Sequence, residues 1–276
     1  MLAATSAKAG WVTNDFVFGS GSYISYHFSM IMPVSSSVIT GADLGFYSKS
    51  DQPDVVYALK IPTFIAPLKT VIRPFYYPST HLIKSTSGGF LAQKEFSLYA
   101  DDNAKEWTSM SLNAGFAAQR SDSLNSDGIT AIRTLPEASY EMQIQQNFYR
   151  EFFLSASAGV YQYFSPVQGR QNVNASMDQG ELIYMGTRAA ITDLPKYTAG
   201  INFLRNDGGE DKGTGGVYAG YHYTAFMEPR PILHAITVGA RAEVMENTML
   251  DFNYDWLASP GRHTQNFYGM TLRMKY

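Results

Sequence analysis

The residues best suited to acid–base or metal chemistry are few in this chain and widely separated. Five histidines and no cysteine occur among 276 residues. A nucleophilic hydrolase would need a serine elbow of the form G-x-S-x-G, and a zinc protease would need H-E-x-x-H on a helix. Neither motif is present. The sequence therefore predicts a protein that is not an enzyme and that has no catalytic, cofactor or metal site.

Two carboxylates and one glycine-rich stretch come nearest to a ligand site. Asp251 and Asp255 are four residues apart on one strand face, about 13 Å at the rise of a strand, which is too far for both to hold one cation. The stretch Asn206–Gly216 lacks the Lys-Ser/Thr pair of a P-loop and the nonapeptide calcium repeat, so we interpret it as a loop. His27 and His222 are expected on inward faces of separate strands, as solvated residues.

These residues lie in segments that alternate between apolar and polar side chains. Within Ser139–Phe148 the even positions are mostly large and apolar and the odd positions are acids and amides. Successive side chains of a strand point to opposite faces, so one face meets an apolar phase. The other face needs water, because each amide left unpaired in a dry core costs about a few kcal/mol.

The same alternation predicts about fourteen strands, with 12–16 as the range. They are Ser22–Met32, Val38–Phe46, Asp54–Ile61, Lys69–Tyr77, Phe90–Ala100, Glu106–Ala118, Ser139–Phe148, Phe152–Tyr163, Glu181–Ile191, Lys196–Arg205, Gly216–Phe226, Ile232–Val244, Thr248–Trp256 and the final segment. The segment Trp11–Phe18 is left open as a plug, an arm or a partial strand.

The final segment, Gln265–Tyr276, has the clearest alternation and ends the chain inside a strand. Its apolar row is Tyr268, Met270, Leu272, Met274 and Tyr276. This ending resembles the C-terminal signal of bacterial outer-membrane β-barrel proteins, in which the last strand pairs with the first to close the cylinder. The resemblance implies an all-β fold, a closed antiparallel transmembrane β-barrel, with this row as its barrel-closure signal. It also implies the bacterial outer membrane as the location.

Composition agrees with a barrel. Aromatic residues make up 14% of the chain and charged residues 16%, while the mean hydropathy is -0.18. No apolar run reaches the roughly 20 residues of a membrane-spanning helix, whereas barrel strands need only every second residue to be apolar. The net charge of -3 gives no basic surface for nucleic acid. The expected partners are the lipid bilayer, the barrel-assembly machinery and, as a further class, other envelope proteins.

The inward rows of the predicted strands carry both signs of charge. The expected lumen-lining residues are Asp43, Lys60, Arg73, Glu95, Glu141, Gln143, Arg188, Arg241, Glu243, Asp251 and Arg273. A barrel of about fourteen strands is wide enough to hold water between such residues. A strongly ion-selective pore would show a ring of one sign. The sequence therefore favours a porin-like channel for passive passage of small hydrophilic solutes.

Two other functions remain open. Inward tyrosines are expected at Tyr47, Tyr77, Tyr99, Tyr161, Tyr184 and Tyr218. Aromatic rings can stack on sugars, and the ending Gly269–Tyr276 is also similar to the last strand of exopolysaccharide-export barrels, which usually have more strands and carry preceding helical repeats not seen here. The second alternative is a non-conducting barrel that acts as an anchor or partner in an envelope complex.

The N-terminus and the strand order raise two further points. Residues 1–10 have the small-x-small pattern of a signal-peptidase site at Ala7-Lys8-Ala9, and we expect a signal-peptide remnant or a flexible N-terminus there. The barrel then occupies residues 11–276. Counting strands back from Tyr276 puts three longer links on the same side as the termini, where bacterial barrels have short turns. They are Asn206–Gly215, Phe164–Gly180 and Gln119–Glu137.

Overall fold

The protein folds as one continuous ring of antiparallel strands. The computed structural model describes residues 10–48, 56–78, 85–101, 106–124, 130–149, 151–165, 194–207, 215–227, 232–261 and 263–276. The strands are β1 Trp11–Gly19, β2 Tyr23–Pro33, β3 Val38–Ser48, β4 Val56–Lys60, β5 Thr63–Ile65, β6 Thr70–Tyr77, β7 Ser85–Ala100, β8 Trp107–Leu124, β9 Thr130–Phe148, β10 Phe152–Tyr163, β11 Pro195–Asp207, β12 Gly215–Phe226, β13 Leu233–Met245, β14 Thr248–Ala258 and β15 Gln265–Lys275. A short 3-10 helix covers Ala66–Leu68. In the described part of the chain, no helix has the length and apolar character needed to cross a membrane.

The fifteen strands of the described residues form a barrel of fourteen positions because β4 and β5 share one place in the ring. Both pair with β3 on one side and β6 on the other. The interruption falls at Ile61 and Pro62, where proline has no N–H to donate to a neighbour. Its carbonyl still accepts from the Gly41 N–H at 2.9 Å, and the Ile61 N–H donates to the Pro74 carbonyl at 3.0 Å. The predicted fold class and strand number are confirmed.

The ring is closed by the pairing of β15 with β1. Their register runs from Trp11 opposite Lys275 to Gly19 opposite Phe267. Gly10 and Tyr276 extend it with two reciprocal main-chain hydrogen bonds of 3.1 Å. The segment Trp11–Phe18, whose role the sequence left open, is therefore the first strand of the wall.

The faces of the wall alternate as the sequence pattern predicts. On β9, the side chains of Tyr140, Met142 and Ile144 are 56%, 45% and 41% exposed, while Glu141 and Gln143 between them are half-buried. In a barrel the exposed apolar row is the face that meets lipid. At the outer seam, Tyr268 stacks on Phe18 with ring centroids 5.4 Å apart and lies 5.3 Å from the ring of Tyr254.

The two ends of the barrel differ in the length of their links. The end that holds Gly10 and Tyr276, here the terminus end, carries short turns such as Val34–Ser37, 149–151 and 246–247. At the opposite end, here the loop end, β10 ends at Tyr163 and β11 begins at Pro195. The longest stretch between consecutive strands is therefore joined to the wall opposite the termini, where bacterial barrels have their long links.

The expectation that long links share the side of the termini was therefore wrong for two of them. β10 pairs directly with β11, and β8 and β9 extend to Leu124 and from Thr130, which moves their short link to the loop end. The predicted strand Glu181–Ile191 lies outside the described residues. The sequence prediction counted this strand and did not count β1, so the total stayed at fourteen. Every strand from β2 to β10 was therefore assigned the wrong direction through the wall.

Candidate functional site

The interior of the barrel is the candidate site, and it divides into two zones along the axis. Toward the terminus end, the inward side chains are mostly charged residues, amides, serines and threonines. Toward the loop end, apolar side chains such as Phe75, Leu257 and Phe267 form clusters, and buried polar side chains such as Ser87, Thr237 and Asp255 lie among them. The two zones share strands, because inward residues change character along β1, β2, β13, β14 and β15. The interior is therefore described below as a polar zone and an aromatic zone.

One side of the polar zone is built around His27. Its Nδ1 lies 3.8 Å from Asp43 Oδ1, and their side chains are 12% and 20% exposed. Asp15 lies directly opposite His27 across β1 and β2. The Thr271 hydroxyl donates to Asp15 Oδ1 at 2.6 Å. The second Asp15 oxygen, although buried, has no hydrogen-bond partner among the described residues. Two carboxylates of this arc therefore lie next to a single imidazole.

The next arc pairs opposite charges through β12, β13 and β14. Arg241 lies directly opposite Asp251 and donates through Nη2 to Asn206 Oδ1. The Tyr218 hydroxyl donates to Asp251 Oδ1 at 2.6 Å. The Tyr218 ring lies over Gly239, where the ring atoms occupy the space that a Cβ would fill. Glycine at 239 thus lets a tyrosine lie flat on the wall and hold a carboxylate in place.

A third arc, which adjoins the first through the pairing of β3 with β4, holds two buried cations and a row of amides. Lys60 and Arg73 are 8% and 6% exposed, and Lys60 lies directly opposite Asp43. Asn113 Nδ2 donates to Glu141 Oε1 at 3.1 Å. Gln143 lies between two serines of the neighbouring strands. Charges of both signs therefore alternate around the polar zone.

The remaining predicted lumen residues lie at its edges. Glu95 is half-buried and faces Ser111 across β7 and β8. Glu243 and Arg273 are exposed near the terminus end, where the Glu243 carboxylate accepts from the Asn247 N–H at 3.2 Å. Arg188 lies outside the described residues. Within the described ranges, no group of three or more acidic or histidine side chains could hold a metal ion.

A network on β10, β11 and β12 completes the polar zone. His222 Nε2 and Asn202 Oδ1 are 2.9 Å apart, and Asn202 Nδ2 donates to Ser155 Oγ at 3.3 Å. His27 and His222 thus belong to different arcs, each with its own partners. The two histidines expected to face inward do not form a shared site.

The aromatic zone consists of two apolar clusters at the loop end. The first cluster is Val17, Tyr23, Ala235, Leu257 and Phe267, each at most 2% exposed. The second cluster is Phe75, Ala117 and Tyr161. Tyr77 packs against both clusters. Sequence analysis placed Tyr77 and Tyr161 inward, but it did not detect that apolar side chains meet in the interior. The available signal was the recurrence of large apolar residues at inward positions near the loop-end strand termini.

Comparisons with known proteins find likeness in structure only. No protein-family model matches the chain, and no curated protein matches it in sequence. The structure of the CymD monoaromatic hydrocarbon channel is similar with a TM-score of 0.54 and 10% identity, covering 100% of this chain and 92% of that one. A bacterial polysaccharide outer membrane secretin gives 0.51 and 8% identity, covering 99% of both chains.

The Pseudomonas putida OprB structure gives a TM-score of 0.50 and 7% identity, covering 97% of this chain and 93% of that one. At these identities the likeness establishes the fold and nothing finer. Together with the closed ring and its apolar outer face, it confirms the architecture that the last strand indicates. The chain therefore has the closed antiparallel barrel fold of these bacterial outer-membrane proteins.

Proposed function

We propose that this protein is an outer-membrane channel for the passive passage of small hydrophilic solutes. The observation that carries the proposal is the polar zone, where acids, bases and amides cover the inward wall toward the terminus end. Such groups on an inner face need water or a polar solute as partners. A barrel of fourteen positions has the circumference to hold them around an aqueous path.

The charge pattern of the polar zone supports solutes of no particular sign. Asp43 faces Lys60 and Asp251 faces Arg241. Because neighbouring charges are opposite, their fields largely cancel at distances greater than the separation of the two charges. A channel for anions or cations would instead be lined by one sign. The zone therefore suits uncharged polar molecules such as small sugars and polyols.

Swelling of proteoliposomes tests this proposal. The refolded protein is expected to let arabinose, then glucose, then raffinose enter at initial rates that fall with solute size, because larger solutes fit less easily into the lumen. Liposomes without protein, and liposomes with heat-denatured protein, are the controls. Rates no faster than those of the controls, from protein shown to be folded, would contradict the proposed function.

A non-conducting barrel is the second candidate, and one observation favours it. The inward side chains of Asn147, Thr237 and Asp255 are 0% exposed, which is closer to a filled interior than to a wide pore. Such a barrel would serve as an anchor or partner within an envelope complex. In the swelling assay it would leave the liposomes as impermeable as the protein-free controls.

Export of a polysaccharide has weaker support. The inward rings of Tyr161 and Tyr218 are 8% and 5% exposed. Tyr161 belongs to the second apolar cluster and Tyr218 lies flat on Gly239. Neither ring offers a free face on which a sugar could stack. The polar zone therefore suits small solutes better than a glycan chain.

A further inference from the structure

The aromatic zone joins two arcs of the wall that are not neighbours in the sheet. The first cluster comes from β13, β14, β15, β1 and β2, and the second comes from β6, β8 and β10. In the ring, β3 with β4 and β5 separates these arcs on one side, and β11 and β12 separate them on the other. Any contact between the two clusters must therefore pass through the interior.

Tyr77 makes this contact. It is the last residue of β6, a strand that pairs with β4, β5 and β7 and with no strand of the first cluster. Its ring meets Phe75 edge-on, with centroids 5.7 Å apart, and it also packs against the first cluster. One side chain therefore bridges the two arcs at the loop end.

Tyr77 is less buried than the members of the first cluster. In the first cluster, Tyr23 and Phe267 pack edge to face at 5.3 Å and are 1% and 0% exposed. Tyr77 is half-buried and stands where its strand ends, before Pro78. Tyr77 is not among the buried members of either cluster, so a substitution at this position removes its contacts with both arcs and leaves every cluster member unchanged.

From this geometry we infer that Tyr77 is the selectivity-determining residue of the lumen and closes it to hydrated ions. The inference rests on the proposed channel function. A constriction lined by apolar side chains excludes water, and an ion crossing it must give up its hydration shell. An uncharged solute loses fewer strong contacts with water and can displace the ring at lower cost. The polar zone then admits solutes, and Tyr77 rejects ions.

Conductance in planar lipid bilayers tests this role. The wild-type protein in KCl is expected to conduct weakly, and Tyr77→Ala is expected to conduct about tenfold more because the apolar bridge is gone. Tyr77→Phe keeps the ring and should behave as the wild type. The matched control is Tyr76→Ala, since Tyr76 is the neighbouring residue on the outer face and is 48% exposed.

A single-cysteine variant covers the case in which Tyr77→Ala does not fold. The chain contains no cysteine, so Tyr77→Cys carries one thiol. This variant should conduct like Tyr77→Ala and should close again after reaction with a bulky aromatic thiol reagent. For every variant, the heat-dependent mobility of the barrel on a denaturing gel reports that it is folded.

The outcomes separate this inference from the proposed function. If the wild type takes up sugars and conducts ions as well as folded Tyr77→Ala does, the role of Tyr77 is overturned and the channel remains. The role of Tyr77 is also overturned if Tyr77→Ala and Tyr77→Cys fold and conduct no better than the wild type, and sugar uptake by the wild type then decides whether the proposed channel remains. If the wild type takes up no sugar and Tyr77→Ala conducts, Tyr77 does close the lumen and passive passage is overturned.

Discussion

Deletion of residues 265–276 is expected to abolish folding of the barrel. β15 pairs with β14 on one side and with β1 on the other, so its loss leaves two strand edges open. Inside a bilayer each unsatisfied main-chain group costs several kcal/mol, because lipid offers no hydrogen-bond partner. The measurement is the fraction of heat-modifiable protein after refolding into lipid vesicles, which should fall to background.

A point substitution separates closure of the ring from recognition of its last residue. Tyr276→Ala keeps the two main-chain hydrogen bonds to Gly10, so it is expected to refold in vitro as the wild type does. If the apolar row that ends at Tyr276 is an assembly signal, as its sequence resemblance predicts, this variant will reach the outer membrane of cells at a reduced level. A deletion variant that still refolds would contradict the role of β15 in the wall.

Met142→Arg is expected to destabilise the protein by about 2–4 kcal/mol, the cost of a cation on the lipid face near the bilayer midplane. The Met142 side chain is 45% exposed and lies between Leu112 and Ala158 on the outer face. The matched control is Gln143→Arg, one residue along the same strand. That side chain faces inward between Ser111 and Ser157, and we expect a loss below about 1 kcal/mol.

Denaturant titration of both variants in vesicles measures the difference in the free energy of unfolding. The account predicts a gap of at least about 2 kcal/mol between two arginines that are adjacent in sequence. Equal losses would mean that the two faces of β9 do not meet different environments.

The strands of the wall were predictable from sequence because the alternation of apolar and polar residues lies within each strand. Period-two alternation identified β9 and β15, since each residue reports its own face. It failed for β1, where Asn14 interrupts the outer apolar row. There the Tyr26 hydroxyl donates to Asn14 Oδ1 at 2.7 Å, so a neighbouring strand satisfies a polar group that the single segment could not explain.

The interior was only partly predictable. The alternation along a strand identifies the residues that point inward, as for Asp43 and Asp251. Which inward side chains contact each other depends on the stagger of strands that are far apart in the chain. The pairing of Arg241 with Asp251 follows from one hairpin and could have been expected. The bridge made by Tyr77 depends on the whole ring, and no local pattern contains it.

The most direct test of the central claim is a spin-label scan of residues 140–145 in lipid vesicles. Because the chain has no cysteine, each position can carry a single nitroxide. The account predicts that labels at Glu141, Gln143 and Gln145 collide with a water-soluble nickel complex, whereas labels at Tyr140, Met142 and Ile144 collide with oxygen dissolved in the lipid. Exclusion of the nickel complex from all six positions would contradict a water-filled polar zone.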